Sequence, residues 1–355
     1  RKSTMLKNNQ KVAIYMEGHI YSEYGKMGMG ALRYLKNDIV CVIDKKYSGS
    51  NINEHYPSLK SVPIVKNLDS AINLEAEVLI LGIAPTGGKI PNNWLPVIKN
   101  ALEKKISIVN GLHDLLERRY SNLLKNDKQW IWDVRVPKFE PKIAEARAAS
   151  LNNIRLLMVG TDMACGKMTT ALEIYSWAKK QKLKTGFVAT GQIGITITGD
   201  GIPLDAFKVD HACGAVEHKI LENSEKDLII IEGQGSLLHP GSTATLPLMR
   251  GSCPTHIILC HRAEKENLRY PENIKIPNLK KFIQLNENVA GVYGTLCETK
   301  CIGVSLNTSK LSEKEAKETI KKISKKTELP VTDPIRFGVE LICKDLLENL
   351  KKKIK

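Results

Sequence analysis

The stretch Ile154-Arg-Leu-Leu-Met-Val-Gly160-Thr-Asp-Met-Ala-Cys-Gly166-Lys167-Met-Thr169-Thr170 decides the fold. An apolar run reads as a buried strand, a loop bounded by glycines follows, and a lysine opens an amphipathic helix. Glycines let successive backbone N–H groups curl around a phosphate, the helix N-terminus adds positive dipole, and the lysine supplies counter-charge. Five residues separate Gly160 from Gly166, one more than in the common phosphate loop, and Met168 stands where its Ser or Thr is expected. The candidate cofactor-binding segment is therefore Gly160, Thr161, Asp162, Cys165, Gly166, Lys167, Met168, Thr169 and Thr170.

Downstream, Asp227-Leu-Ile-Ile-Ile-Glu232-Gly-Gln-Gly235 reads as a buried strand ending in an acid, the arrangement that holds Mg²⁺ in phosphate-loop proteins. If a Mg-nucleotide is the ligand, Thr169, Asp162 and Glu232 are the expected metal-binding residues. The glycines and hydroxyls of Thr190–Gly201 suit a switch-like loop. Asp210 and Glu217 bracket the start of a helix, and His239 follows Glu232 within eight residues, which makes these three candidate general bases. Asn307 ends a further predicted strand, Cys301–Leu306, and offers both a donor and an acceptor to a base edge.

Towards the N-terminus, apolar runs at Val12–Met16, Ile39–Ile43, Val62–Val65, Val78–Ile83 and Ile106–Val109 alternate with helical patterns at Trp94–Lys104 and His113–Leu124. This alternation predicts a parallel sheet covered on both faces. The Gly-rich turn after Val78–Leu81 puts Gly87, Gly88 and Lys89 at the carboxyl end of a strand, where open parallel sheets bind ligands. Lys125–Pro141 is polar, with Trp130 and Trp132 at alternate positions, and reads as a connector. The second series predicts strands at Ile154–Val159, Thr185–Ala189, Leu228–Ile231, His256–Cys260 and Cys301–Leu306. The expected domains are 1–140 and 141–355.

Composition narrows the partners. The 355 residues are 42% apolar with a net charge of +15, which favours anionic small molecules. Only 5% are aromatic and no basic run is interleaved with them, so nucleic acid is not an expected partner. No run approaches the length of a membrane span. Eight scattered cysteines without a CxxC pair predict reduced thiols and a cytoplasmic setting. A homo-oligomer is expected.

The ordered set of motifs is similar to the D-glutamate N-acetyltransferase-like family, two-domain P-loop proteins related to dethiobiotin synthetase. The set comprises Gly82-Ile-Ala-Pro-Thr-Gly-Gly, Gly111-Leu-His113, Asp133-Val-Arg135, Gly160-Thr-Asp…Gly-Lys-Met-Thr-Thr, Thr190-Gly-Gln, Asp210…Gly214-Ala-Val-Glu217, Glu232-Gly-Gln-Gly-Ser-Leu-Leu-His-Pro240 and Asn307-Thr. The resemblance implies an α/β protein with an N-terminal Rossmann-like parallel-sheet domain and a C-terminal P-loop NTPase-like parallel-sheet domain. It also implies transfer of acetyl from acetyl-CoA to the amino group of D-glutamate, in D-amino-acid catabolism. Ile193 departs from the family pattern, where threonine is expected.

Under that reading Lys167 faces a CoA phosphate, Asp210, Glu217, His239 or Glu232 takes the proton of the substrate ammonium, and Gly233–Gly235 offer N–H groups to the thioester oxygen. Arg135 and Lys89 hold the carboxylates of a small acidic amino acid in a site expected between the domains, with Gly87, Gly88, Gln192 and Gln234 as further substrate-binding candidates. The motif chemistry taken without the family favours ATP and Mg²⁺, with carboxylate activation of the dethiobiotin synthetase type, because an acid at the end of the Leu228–Ile231 strand has an obvious use with Mg²⁺ and less with CoA.

Overall fold

The computed structural model describes residues 6–85, 87–242 and 244–354. Thr86, in the Gly82–Lys89 turn, and Thr243, in the segment after His239, lie outside them. Among the described residues the chain divides into two compact units, 1–136 with 192–203 and 137–191 with 204–355.

The first unit contains β1 (Val12–Tyr15), β2 (Ile39–Ile43), β3 (Ile64–Val65), β4 (Val78–Leu81), β5 (Ser107–Asn110) and β6 (Ile131–Asp133), in spatial order β3-β2-β1-β4-β5-β6. All pairs are parallel, with Val12 opposite both Ile39 and Val78. This is the Rossmann strand order, which reverses direction between β1 and β4. Strands β1 and β4 are buried along their whole length, which is why their sequences read as continuous apolar runs, and β5 is equally buried with Ser107 and Asn110 at its ends. Leu79, Leu81, Trp94, Ile98 and Ile108 centre the core.

Two expectations are corrected here. Lys125–Pro141 is not simply a connector: its Ile131–Asp133 pairs with β5 as the sixth strand, burying Ile131 and Trp132. The Thr190–Gly201 segment is not simply a loop of the second domain either. Gln192–Thr198 forms a helix that belongs to the first unit, where Ile193 lies against Gly30 so closely that a Cβ there would meet its Cγ2 at 2.5 Å. An apolar residue at 193 therefore has a packing role.

The second unit contains β7 (Ile154–Gly160), β8 (Thr185–Val188), β9 (Leu228–Ile231), β10 (His256–Arg262), β11 (Lys300–Asn307) and β12 (Val331–Thr332), in parallel order β12-β11-β10-β7-β9-β8. Leu156 lies opposite His256 on one side and Ile230 on the other. Centring the phosphate-loop strand between β9 and β10 gives its C-terminal loop neighbours from both strands. The helix Lys167–Lys180 follows that loop, and its buried Ala171, Ile174 and Ala178 join Met158, Ile230 and Ile258 in the core.

Candidate active site

The phosphate loop leaves β7 at Gly160. A Cβ on Gly160 would lie 2.7 Å from the Cys165 sulfur, so glycine lets the loop close on itself. Gly166, at φ +105°, is the N-cap of the 14-residue helix Lys167–Lys180. The N–H groups of Ala164, Cys165, Gly166 and Lys167 have no acceptor among the described residues, which makes this turn a ready anion cradle. Lys167 is buried and its Nζ donates to the Asp162 carbonyl at 2.7 Å. Thr170 is buried, donates to the Gly166 carbonyl at 2.8 Å and meets Ser305 Oγ at 2.7 Å, so its hydroxyl is spent on holding the helix.

Opposite this loop, β9 delivers Glu232. The residue is 2% exposed, and its Oε2 accepts the N–H groups of Thr190 at 2.8 Å and Gly191 at 3.2 Å. Oε1 has no hydrogen-bond partner among the described residues. Burial pushes this carboxyl up to about 7, against the opposing pull of the two N–H bonds and the Lys167 charge. A carboxyl that changes charge near neutrality is suited to proton transfer. Gly191 permits the arrangement, since a Cβ there would lie 2.7 Å from Gln234 Nε2 and 3.3 Å from Glu232 Oε1. Gln234 is half-buried, and its amide donates to Thr190 Oγ1 at 3.3 Å.

Asp162 is tied down. Its Oδ1 accepts the Met163 N–H at 2.7 Å, its Oδ2 accepts the Arg269 N–H at 2.8 Å, and Oδ2 is ion-paired with the Arg262 guanidinium. His239 lies 3.9 Å from Asp162 Oδ1. The Gly241 N–H donates to its Nδ1 at 3.0 Å, so Nε2 carries the proton and donates to the Tyr270 carbonyl at 2.7 Å. With both ring nitrogens engaged, His239 orders the loop rather than offering a lone pair. The neighbouring His261 bonds Thr161 Oγ1 at 2.8 Å, and burial, then Arg262, push it down to about 4, so it is neutral.

The magnesium expectation does not fit these donors. Of the three expected ligands, Asp162 is paired with Arg262 and accepts two backbone N–H groups, and the Glu232 carboxyl accepts two more, which leaves the half-buried Thr169 hydroxyl as the one donor not engaged among the described residues. Among the described residues no cluster of three or more His, Cys, Asp or Glu is arranged to hold a metal ion.

Of the other candidate bases, Asp210 sits exposed in the first turn of the helix Val209–Glu222. Glu217 is corrected. It is fully buried, and its carboxylate accepts the N–H groups of Glu145 and Arg147 and the Arg147 guanidinium, which makes it a clamp on the segment entering the second unit. Asn307 is spent on its own turn, accepting the Ser309 N–H at 3.1 Å.

In the first unit, Gly87 and Gly88 take positive φ, and a Cβ on Gly88 would meet the His113 ring at 1.8 Å. Lys89 is exposed. Arg135 Nε donates to the Gly111 carbonyl at 2.8 Å, and Gly111 lies against Gln192, so Arg135 and Gln192 converge on one glycine. The sequence reading missed Arg262 and Arg269. The signal for Arg262 was the His-Arg pair that ends the apolar run of β10, beside the phosphate-loop strand.

Comparison with known proteins places these features in a family. The family DUF1611, described as a domain of unknown function, matches through its P-loop domain at residues 142–343 and its Rossmann-like domain at 45–137. A protein of Tritonibacter scottomollicae named D-glutamate N-acetyltransferase is 36% identical over 274 residues, covering 76% of this chain and 81% of that one. One from a Pseudoalteromonas species with the same name is 34% identical over 279 residues, covering 78% and 83%. A crystal structure of a DUF1611 family protein from Anabaena variabilis superposes with a TM-score of 0.91 at 42% identity, over 97% of this chain and 100% of that one.

Proposed function

Because the chain belongs to the DUF1611 family, we propose that it is an N-acetyltransferase moving acetyl from acetyl-CoA to the amino group of D-glutamate or a similar acidic amino acid. The relatives' shared name supports the reaction class. The observation that carries the chemistry is Glu232, a buried carboxyl poised at about 7.

An ammonium has no lone pair, so the amine must lose a proton before it attacks the thioester carbonyl. Glu232 takes that proton. The C–N bond forms, the C–S bond breaks, and the nitrogen's second proton passes to the departing thiolate, so that CoA leaves as the thiol. Lys167 and the free N–H groups of Ala164–Lys167 hold a CoA phosphate, and the anion cradle described above fits that group. The pantetheine arm is long, so the two roles together require it to fold back towards the loop. Gln234 and the N–H groups of Gly233–Gly235, which have no acceptor among the described residues, supply donors for the carbonyl oxygen. Arg135 and Lys89 are the proposed counter-charges for the substrate carboxylates. The eight free cysteines support a reducing cytoplasmic setting, and among the described residues no helix is long and apolar enough to cross a membrane.

The test is mass spectrometry of D- and L-glutamate after incubation with acetyl-CoA and the purified protein in excess EDTA. N-acetyl-D-glutamate is the expected product. Failure to acetylate, with ADP released once Mg·ATP is supplied, would transfer the protein to the ATP-dependent reading.

A further inference from the structure

The Rossmann-like unit does not leave its usual ligand crevice open. In this strand order a dinucleotide sits where the order reverses, between the carboxyl ends of β1 and β4. Here the Gly28 N–H donates to the Gly82 carbonyl at 2.8 Å and the Ala84 N–H to the Tyr24 carbonyl at 2.7 Å, stitching the loop after β4 to the loop and helix after β1. The Met16 side chain fills the space beneath, where a Cβ on Gly28 would meet its sulfur at 2.3 Å. Asp44, the acid at the end of β2 that would face a ribose, is fully buried and accepts the N–H groups of Gly18 and Lys46.

The carboxyl ends of β1 and β2 carry something else. Tyr21 packs edge-on against Tyr47 and His55, with ring centroids 5.3 and 5.6 Å away, and tilts against Tyr56 at 5.7 Å. In a chain with only 5% Phe, Trp and Tyr, three tyrosines gathered with a histidine beyond the ends of two adjacent strands are not explained by composition. Hydrogen bonds fix them. Ser50 Oγ donates to the Tyr47 carbonyl, so it accepts from His55 Nε2 at 2.8 Å, which leaves His55 Nδ1 to accept the Tyr21 hydroxyl at 2.6 Å. Tyr56 donates to the Ile20 carbonyl at 2.7 Å. Despite these contacts Tyr21 remains 58% exposed. The loop after β2 that carries Tyr47 also carries Lys45 and Lys46, both exposed and neither ion-paired among the described residues, while their backbone N–H groups are pinned to Glu17 and Asp44. Lys46 Nζ stands 5.2 Å from the Tyr47 ring centre.

An immobilised, exposed ring in a cluster whose loop carries two unpaired ammonium groups is the chemistry that recognises a flat base bearing a phosphate. We infer that the Tyr21–Tyr47 ring cluster, with Lys45 and Lys46, binds the base and phosphate of a purine nucleotide, at a site separate from the phosphate loop. The ligand is a free purine nucleotide, because the phosphates of CoA are assigned above to the phosphate loop. The inference stands whether or not the proposed acetyl transfer does.

The experiment uses the full chain carrying Lys167→Ala, which weakens phosphate binding at the loop, titrated with adenosine 3′,5′-bisphosphate by calorimetry. Saturable binding is expected, weakened about tenfold by Tyr21→Ala, consistent with the loss of one base-stacking ring. Lys46→Ala weakens it as well, while Tyr21→Phe, which keeps the ring, retains it. Bisphosphate binding that persists in saturating CoA is expected, and complete displacement by CoA overturns the assignment to a free nucleotide. No saturable binding in the Lys167→Ala chain overturns the inference. So does a Tyr21→Ala chain that binds undiminished, or ribose 5-phosphate binding as tightly as the nucleotide.

Discussion

Glu232 and Thr190 hold each other twice: the Thr190 N–H donates to the Glu232 carboxylate at 2.8 Å, and the Thr190 hydroxyl donates to the Glu232 carbonyl at 2.8 Å. One residue thereby fixes both the backbone and the carboxylate of the other, and the carboxylate keeps a defined position while burial raises its affinity for a proton. Thr190→Val keeps the N–H bond to the carboxylate and removes the two bonds of the hydroxyl, to the Glu232 carbonyl and from the Gln234 amide. It is expected to lower kcat several-fold with little change in the KM for acetyl-CoA, measured by steady-state thiol release. An equal rise in KM would instead assign Thr190 to cofactor binding.

Stability carries the same signature. Glu232 is raised from 4.5 to about 7 on folding, so between those values the folded chain keeps a proton that the unfolded chain has released. The free energy of unfolding therefore falls as pH rises through that window, by a few kcal/mol in total. Urea unfolding across the window should show this slope in the parent and a flatter one in Glu232→Gln. Identical slopes in the two chains would mean that the carboxyl is not perturbed.

The Glu217 clamp gives a contrasting outcome. Glu217→Ala leaves the N–H groups of Glu145 and Arg147 and the Arg147 guanidinium without their acceptor. A loss of about 3 kcal/mol is expected, tempered because Arg147 is partly exposed. Thermal melts read the loss, and the folded fraction assayed at low temperature should retain its turnover. Abolished turnover in fully folded protein would restore Glu217 to the chemistry.

How much of this was legible in the sequence follows from how local each feature is. The strand, loop and lysine of 154–170 and the strand ending in Glu232 are contiguous patterns, because parallel strands buried on both faces read as unbroken apolar runs. The Glu217 clamp joins residues 70 and 72 positions apart, so the carboxylate on its helix carries no local sign of its partners. Strand β6 was hidden by its three-residue length within a polar stretch. The helix Gln192–Thr198 was hidden because its glycine and β-branched residues favour other conformations, and packing of Ile193 on Gly30 overrides that preference.

Lys167 supplies the charge at the anion cradle. Lys167→Ala should weaken CoA binding roughly ten- to hundredfold, the scale of one charge-assisted hydrogen bond. Calorimetry in excess EDTA is the check, and parent affinity is expected to be the same with or without Mg²⁺, since Arg262 engages Asp162 and backbone N–H groups engage Glu232. A parent affinity that collapses in EDTA would contradict the donor argument.

The most direct test of the central claim, a metal-free acetyl transfer with Glu232 as proton acceptor, is the pH profile of kcat/KM for D-glutamate in EDTA. In the parent the rate should climb with an inflection near 7, as the carboxylate form fills. Glu232→Gln should lose that inflection together with most of its activity. A parent profile with no inflection near 7, or a Glu232→Gln chain as active as the parent, would contradict it.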